Sequence, residues 1–140
     1  MKHHSATHVR WDDLDAFGHI NNATYLTFVQ EARADMTWYA RLARGEKPIL
    51  ADMVVARAEV DFIEPIYEGG INIDVAISVI KIGNASFELF YEMSYEGVLH
   101  ATGKTVQVAV SMETKKSRPL NDEERRFLLQ YMAQPSEAKK

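Results

Sequence analysis

With 140 residues, 46% of them hydrophobic and 26% charged, the chain is long enough for one domain with a proper core and too ordinary in composition for a disordered or fibrous class. Its net charge of −4 gives no electrostatic footprint for nucleic acid, and the lack of cysteine removes disulfides, thiol nucleophiles and thiolate zinc sites. No apolar stretch reaches the length of a bilayer span or resembles the core of a signal peptide, so no membrane insertion and a cytoplasmic location are expected.

His3, His4 and His8 read as a polar leading tail, with no partner ligands at metal spacing; no metal and no cofactor are expected. Residues 5–11, SATHVRW, alternate weakly and predict a short strand. From 23 to 43 the period changes: Tyr25, Phe28, Val29, Ala32, Met36, Tyr39, Ala40 and Ala43 recur at three- and four-residue spacing, and Gly45 and Pro48 follow. This is one long helix, capped by Asn21 or Asn22 through a side-chain amide oxygen. Asp35 belongs to its solvated face.

After Pro48 the period becomes two. MVVARAEVDFI (53–63) is followed by the turn-rich EPIYEGG, then by INIDVAISVIKI (71–82), with Ile71, Ile73, Val75, Ile77 and Val79 on one side. ASFELFYEMSY (85–95) presents Phe87, Leu89, Tyr91, Met93 and Tyr95; EG at 96–97 is a hairpin turn. LHATGKTVQVAVSM (99–112) presents Val106, Val108, Val110 and Met112. Short connections predict an antiparallel meander, and one long helix must cover its apolar face. The fold class is α+β: a curved antiparallel sheet wrapped around one central helix. NDEERRFLLQYM, with an Asn121–Glu124 capping box, predicts a short surface helix. A single domain over 1–132 and a flexible tail over 133–140 complete the expected organisation.

The densest cluster of polar chemistry is WDDLDAFGHINNATY, residues 11–25. The start of a long helix carries unpaired N–H donors and about half a positive charge. Such a site suits an oxyanion developing in acyl transfer, and it keeps a nearby carboxylate ionised as a general base or nucleophile. On spacing alone, acid followed by helix is a turn and a cap.

Residues 10–33, RWDDLDAFGHINNATYLTFVQEAR, resemble the signature of hot-dog thioesterases of the 4-hydroxybenzoyl-CoA thioesterase type. They also resemble the D-x-D-x-x-x-H-V-N-N-x-x-Y stretch of long-chain acyl-CoA and plant acyl-ACP thioesterases. AEVDFIEP (58–65) and IYEGG look like the second strand and following turn of that family, and the resemblance runs over residues 7–112. It implies hydrolysis of an acyl-CoA thioester to a free acid and CoA. Asp15 matches the catalytic carboxylate, and Asn22, seven places on, supplies the backbone N–H that polarises the carbonyl. Gly18 matches the glycine that lets the loop approach substrate. Tyr25 matches an aromatic one turn into the helix, read as packing.

His19 stands where plant enzymes place a catalytic-network histidine; here it orients the loop or contacts substrate, because Phe17 replaces the asparagine that accompanies it there. Asn21 bonds Asp15 or shares the cap. Asp12 and Asp13 are expected in solvent. Glu31 is a secondary candidate, since another branch uses a helix acid. For the nucleotide the family pattern leaves only Lys81 with Asn84 and Ser86, supplemented by Lys104, Arg57, Lys115 or Lys116, so acyl carrier protein is an alternative carrier. The resemblance also implies a homodimer or homotetramer with the acyl pocket between subunits. A hot-dog hydratase or dehydratase and a non-catalytic acyl-thioester-binding subunit are the competing functions.

Overall fold

Five strands form one antiparallel sheet in a computed structural model that describes residues 1–133: β1 (His3–Val9), β2 (Met53–Phe62), β3 (Ile71–Ile82), β4 (Ser86–Tyr95) and β5 (Val98–Ala109). Their spatial order is β1-β3-β4-β5-β2. Helix α1 (Thr24–Ala34) runs through a π-helical turn (Asp35–Tyr39) into α2 (Ala40–Ala43), and α3 (Asp122–Gln130) closes the chain. Except for its first residue, 133, the expected tail lies outside the described residues.

Only β3-β4-β5 form the expected meander. β2 lies on the far side of β5, so the segment 63–70 is a crossing over the end of the sheet rather than a hairpin turn. Ile66 fixes that crossing by accepting from the Ile20 N–H at 2.9 Å, and Gly70 N–H donates to Val9 O at 2.7 Å. The β4–β5 connection is the expected tight turn, with Glu96 at φ 51° and Gly97 at φ 78°. β1 begins earlier than expected and ends at Val9. His3, His4 and His8 are therefore strand residues, against Asp35 (2.8 Å), Asp74 (3.0 Å) and Asn72 (3.0 Å) respectively, and not a tail. Among the described residues no group of three or more His, Asp or Glu could hold a metal ion.

The helix is continuous, as the periodicity predicts, but it is π-wound over Asp35–Tyr39 before returning to α. Thr37 Oγ1 donates to Arg33 O at 3.0 Å, and Thr37 O in turn accepts from Ile49 N–H at 3.0 Å. Tyr25, Phe28, Val29, Ala32 and Met36 pack on the sheet. Opposite them lie Ile73, Val75, Ile77 and Val79 of β3 and Phe87, Leu89, Tyr91 and Met93 of β4.

β5 departs from expectation. Its buried face is Ala101, Gly103, Thr105, Gln107 and Ala109, while Val106, Val108 and Val110 are half-buried on the other side and Met112 is exposed. The reason is volume. Tyr91 stands beside Gly103, Leu89 beside Thr105 and Phe87 beside Gln107, so the large β4 side chains fill the space under the helix. A Cβ added at Gly103 would lie 3.6 Å from the Tyr91 ring and 3.3 Å from Glu59 O.

α3 is set by its capping box. Glu124 N–H donates to Asn121 Oδ1 at 2.7 Å and Asn121 N–H donates back to Glu124 Oε1 at 2.9 Å. Arg118 adds a bidentate pair at 2.9 and 3.1 Å. Burial pushes the Glu124 carboxyl up, but the Arg118 bonds, the Asn121 N–H and the nearby positive charge outweigh it and hold the group below its ordinary range. A lowered folded pKa gives stability at pH values above about 4.3 that is lost as the pH falls through the folded value. Arg118→Met should therefore cost about 2 kcal/mol at pH 7 and less in acid, where the wild type also loses this contribution. Urea denaturation at both pH values measures the difference.

Candidate active site

The loop 10–23 is built by backbone closure around two of its three acids. Asp13 is 3% exposed, not solvated as expected. Its carboxylate accepts from Arg10 N–H at 2.8 Å and from the Arg10 guanidinium at 2.9 and 3.3 Å, and its carbonyl accepts from Asn21 N–H at 2.9 Å. These bonds satisfy a carboxylate that burial would otherwise penalise, and the same interactions raise the pKa of Arg10. Asp13 thus ties the end of β1 to the start of the helix. Asp12 is exposed, as expected.

Between Leu14 and Ile20, which bridge antiparallel, the chain reverses in a tight turn. Asp15 N–H donates to His19 O at 2.9 Å and Gly18 N–H to Asp15 O at 3.0 Å. Gly18 has φ +81° with open space where a Cβ would stand, so conformation rather than crowding selects glycine. Asp15 Oδ1 accepts from Phe17 N–H at 2.9 Å. Oδ2 lies 3.7 Å from His19 Nδ1, with both side chains partly exposed. His19 Nδ1 is also 3.2 Å from Ile20 O. A carbonyl only accepts, so this contact places the proton on Nδ1 and leaves Nε2 as the free nitrogen. Phe17 stacks on the His19 ring at 6.2 Å and Tyr67, from the 63–70 crossing, meets its edge at 6.2 Å.

At the helix start, Asn21 Oδ1 accepts from Ala23 N–H at 2.9 Å and Asn21 O from Thr24 N–H at 2.9 Å. The N-cap of α1 is Ala23, with no side-chain cap, so the expected asparagine cap is not made: Asn21 instead closes a turn onto Ala23 and makes no bond to Asp15. Asn22 is exposed, and its N–H has no hydrogen-bond partner among the described residues. It lines a cavity of about 260 Å³ together with His19, Tyr25, Phe62, Ile63 and Glu64. Tyr25 is packed edge-on against Phe62 at 5.1 Å and Phe28 at 5.8 Å, and burial raises its hydroxyl pKa. Asp15 is one residue removed from the cavity wall, behind His19.

The other candidates lie elsewhere. Glu31 and Asp35 border a separate groove of about 440 Å³ between α1 and β1, which Arg10 and Asp13 of the aspartate loop and Thr27 of the first helical turn also line, and Asp35 is half-buried rather than solvated. Lys81 near the far end of β3, Asn84 in the β3–β4 turn and Ser86 at the start of β4 sit roughly 33 Å along the strand from Ile71, where the aspartate loop's end of the sheet begins. Lys81 lies 3.9 Å from Glu88, which also pairs with Lys104 at 3.1 Å; Arg57 pairs with Glu59 at 2.6 Å. Phe62, Ile63 and Glu64 were not anticipated as cavity walls. They come to the helix start only because β2 is an edge strand whose end reaches that corner.

A single helix lying across an antiparallel sheet of order β1-β3-β4-β5-β2 defines the hot-dog architecture. The Thioesterase-like superfamily matches residues 9–129, and the chain belongs to it: this is a hot-dog thioesterase. A predicted thioesterase from Bacillus stearothermophilus superposes with a TM-score of 0.81 at 27% identity, covering 96% of this chain and 99% of that one. A thioesterase from Thermus thermophilus, solved with coenzyme A and zinc, gives a TM-score of 0.75 at 28% identity over 94% of this chain and 95% of that one. The 1,4-dihydroxy-2-naphthoyl-CoA hydrolase of Rippkaea orientalis is 26% identical over 81% of this chain and 86% of its own length. Among the described residues no helix is long and apolar enough to cross a membrane.

Asp13→Ala should destabilise the protein by about 1 kcal/mol, because it removes the carboxylate that accepts from Arg10 N–H and closes the turn, while the exposed guanidinium turns to water. Gly18→Ala should cost about 1 kcal/mol through its positive φ alone. Chemical denaturation of the two variants tests both values.

Proposed function

We propose that the protein hydrolyses an acyl-CoA thioester to a carboxylic acid and CoA, with Asp15 as the acting carboxylate and the Asn22 N–H as oxyanion donor. The observation that carries this reading is the unpartnered Asn22 N–H at the start of α1, in a cavity wall shared with His19. In the tetrahedral state the carbonyl oxygen becomes negative, and a fixed donor at a positive helix end stabilises that charge more than it does the neutral carbonyl.

Asp15 then works in one of two ways. Its Oδ2 attacks the carbonyl carbon, the C–S bond breaks, CoA leaves as thiolate, and water hydrolyses the resulting mixed anhydride. Alternatively Oδ2 takes a proton from water, whose oxygen forms the new C–O bond as the C–S bond breaks. His19, beside the same oxygen, orients the loop or contacts substrate. Gly18, Asn21 and Tyr25 shape the approach. Coenzyme A as carrier is supported by the relatives that bind it or hydrolyse its thioesters.

The assembly is part of the proposal. β2 is a ten-residue edge strand with Val54, Val55 and Phe62 about half exposed, and such an edge is satisfied by pairing with a second copy. A homodimer or homotetramer would also let Lys81, Asn84 and Ser86 serve a nucleotide bound at another protomer's helix start, which they do not reach within their own chain.

Asp15→Asn should lower kcat for thiol release at least about 100-fold. Its thermal midpoint should change little, because the amide oxygen still accepts from Phe17 N–H. Undiminished thiol release by this variant would overturn the assignment. One turnover in isotopically labelled water tests the first route: label in Asp15 reports an anhydride opened at the Asp15 carbonyl carbon.

A further inference from the structure

A second cavity, of about 200 Å³, opens between the later half of α1 and the start of β2. Its walls include Arg33 and Thr37 of the helix, Met53 and Val55 of the edge strand, and Leu89 and Gln107 of the sheet. The polar wall residues are Gln30, Arg33, Thr37 and Gln107, and a buried chain of hydrogen bonds behind the wall joins Arg33 to Gln107. Arg33 Nη1 donates to Tyr91 OH at 3.2 Å, Tyr91 OH is 2.7 Å from Thr105 Oγ1, and Thr105 Oγ1 donates to Gln107 Oε1 at 3.0 Å.

The far end sets the direction of the chain. Thr105 spends its one proton on Gln107 Oε1, so Tyr91 OH donates to Thr105 Oγ1 and accepts from Arg33, which has no lone pair to offer. What remains at its far end is the Gln107 Nε2, with two N–H donors and no partner, on a residue that is 2% exposed. At the near end, Arg33 forms no ion pair among the described residues. A buried donor left unpaired is costly, so the Gln107 amide, with the Arg33 guanidinium at the other end of the chain, is complementary to an oxygen brought by a ligand.

The cavity also lies in line with the helix start. Asn22, Leu26, Gln30, Arg33 and Thr37 recur at three- and four-residue spacing and so share one stripe of the helix, which β2 flanks from Phe62 at one end to Met53 at the other. Arg33 is roughly 16 Å along the axis from Asn22 at 1.5 Å per residue.

We propose that this cavity receives the distal part of the acyl group and selects one that carries an acceptor oxygen there, a hydroxyl, ketone or carboxylate, over plain hydrocarbon. The proposal rests on the acyl thioesterase reading above and adds to it a substrate class. An alkyl tail in the cavity leaves the Gln107 amide unpaired. An oxygenated tail completes it, and a site built to hydrogen-bond its substrate discriminates strongly against the analogue lacking the group.

The test compares kcat/KM for CoA thioesters in matched sets of several chain lengths: unsubstituted, distally hydroxylated or oxidised to the ketone, and distally carboxylated. The wild type should favour an oxygenated member by about tenfold or more. Gln107→Leu should reduce that ratio about tenfold, and Arg33→Met should reduce it most for the carboxylated member. Arg33 is only half-buried, so its variant keeps the test open should Gln107→Leu fold poorly. A wild-type preference for the unsubstituted chain at every length, or a ratio that neither substitution moves, overturns the proposal. Non-hydrolysable thioether analogues of the same sets, titrated calorimetrically, separate it from the activity. Absence of thiol release from every thioester refutes the hydrolase reading, while the order of analogue affinities still decides whether the cavity seeks an oxygen.

Discussion

One helix has to cover the apolar face of five strands, and the way it does so fixes most of this molecule. The space between α1 and the sheet is finite, and β4 takes most of it with Phe87, Leu89, Tyr91 and Met93. Close packing then leaves β5 no volume for large side chains on the same face. Alanine, glycine, threonine and glutamine occupy it instead, and the valines of β5 turn to the other side. The buried hydrogen-bond chain from Arg33 to Gln107 exists because polar residues stand where a simpler core would hold branched aliphatics.

The same helix shapes the candidate site. Just ahead of it the Asn21 side chain bonds Ala23 N–H, and the Asn22 N–H between them has no partner among the described residues. The loop before it is held rigid from two directions. Asp13 grips Arg10 at the end of β1, and Ile20 is bonded to the 63–70 crossing at Ile66. With both ends fixed, the turn from Asp15 to His19 has one conformation, and the carboxylate and imidazole are held side by side. Three acids alike in sequence differ in the fold: Asp12 faces solvent, Asp13 holds the loop, and Asp15 stands beside His19.

The helix, the three central strands, the 96–97 turn and the Asn121–Glu124 box were legible in the chain because each follows from local periodicity or from side chains a few residues apart. So was the cluster at 11–25, whose residues lie next to one another in sequence and whose match to the thioesterase signature reaches from Arg10 to Arg33. The place of β2 was not legible, since which neighbour an exposed strand pairs with depends on a crossing that skips two strands. Nor was the buried face of β5, where alternation is equally regular on both sides and hydrophobicity favours the wrong one. The histidines of β1 misled for a similar reason: polar side chains on an edge strand carry no apolar stripe to announce it.

What the sequence determined by itself, then, is whatever is encoded over a few turns of chain: element type, caps, turns and the order of the acid, glycine, histidine and asparagines at the helix entrance. Tertiary structure alone decided which acid is buried, which residues of β2 wall the cavity, and which groups 58 and 14 positions apart join in one hydrogen-bond chain. The physical reason is that burial and hydrogen-bond partnership belong to the packed whole. A carboxylate at position 13 and one at position 15 have the same intrinsic chemistry until the fold gives one of them a guanidinium and leaves the other beside an imidazole.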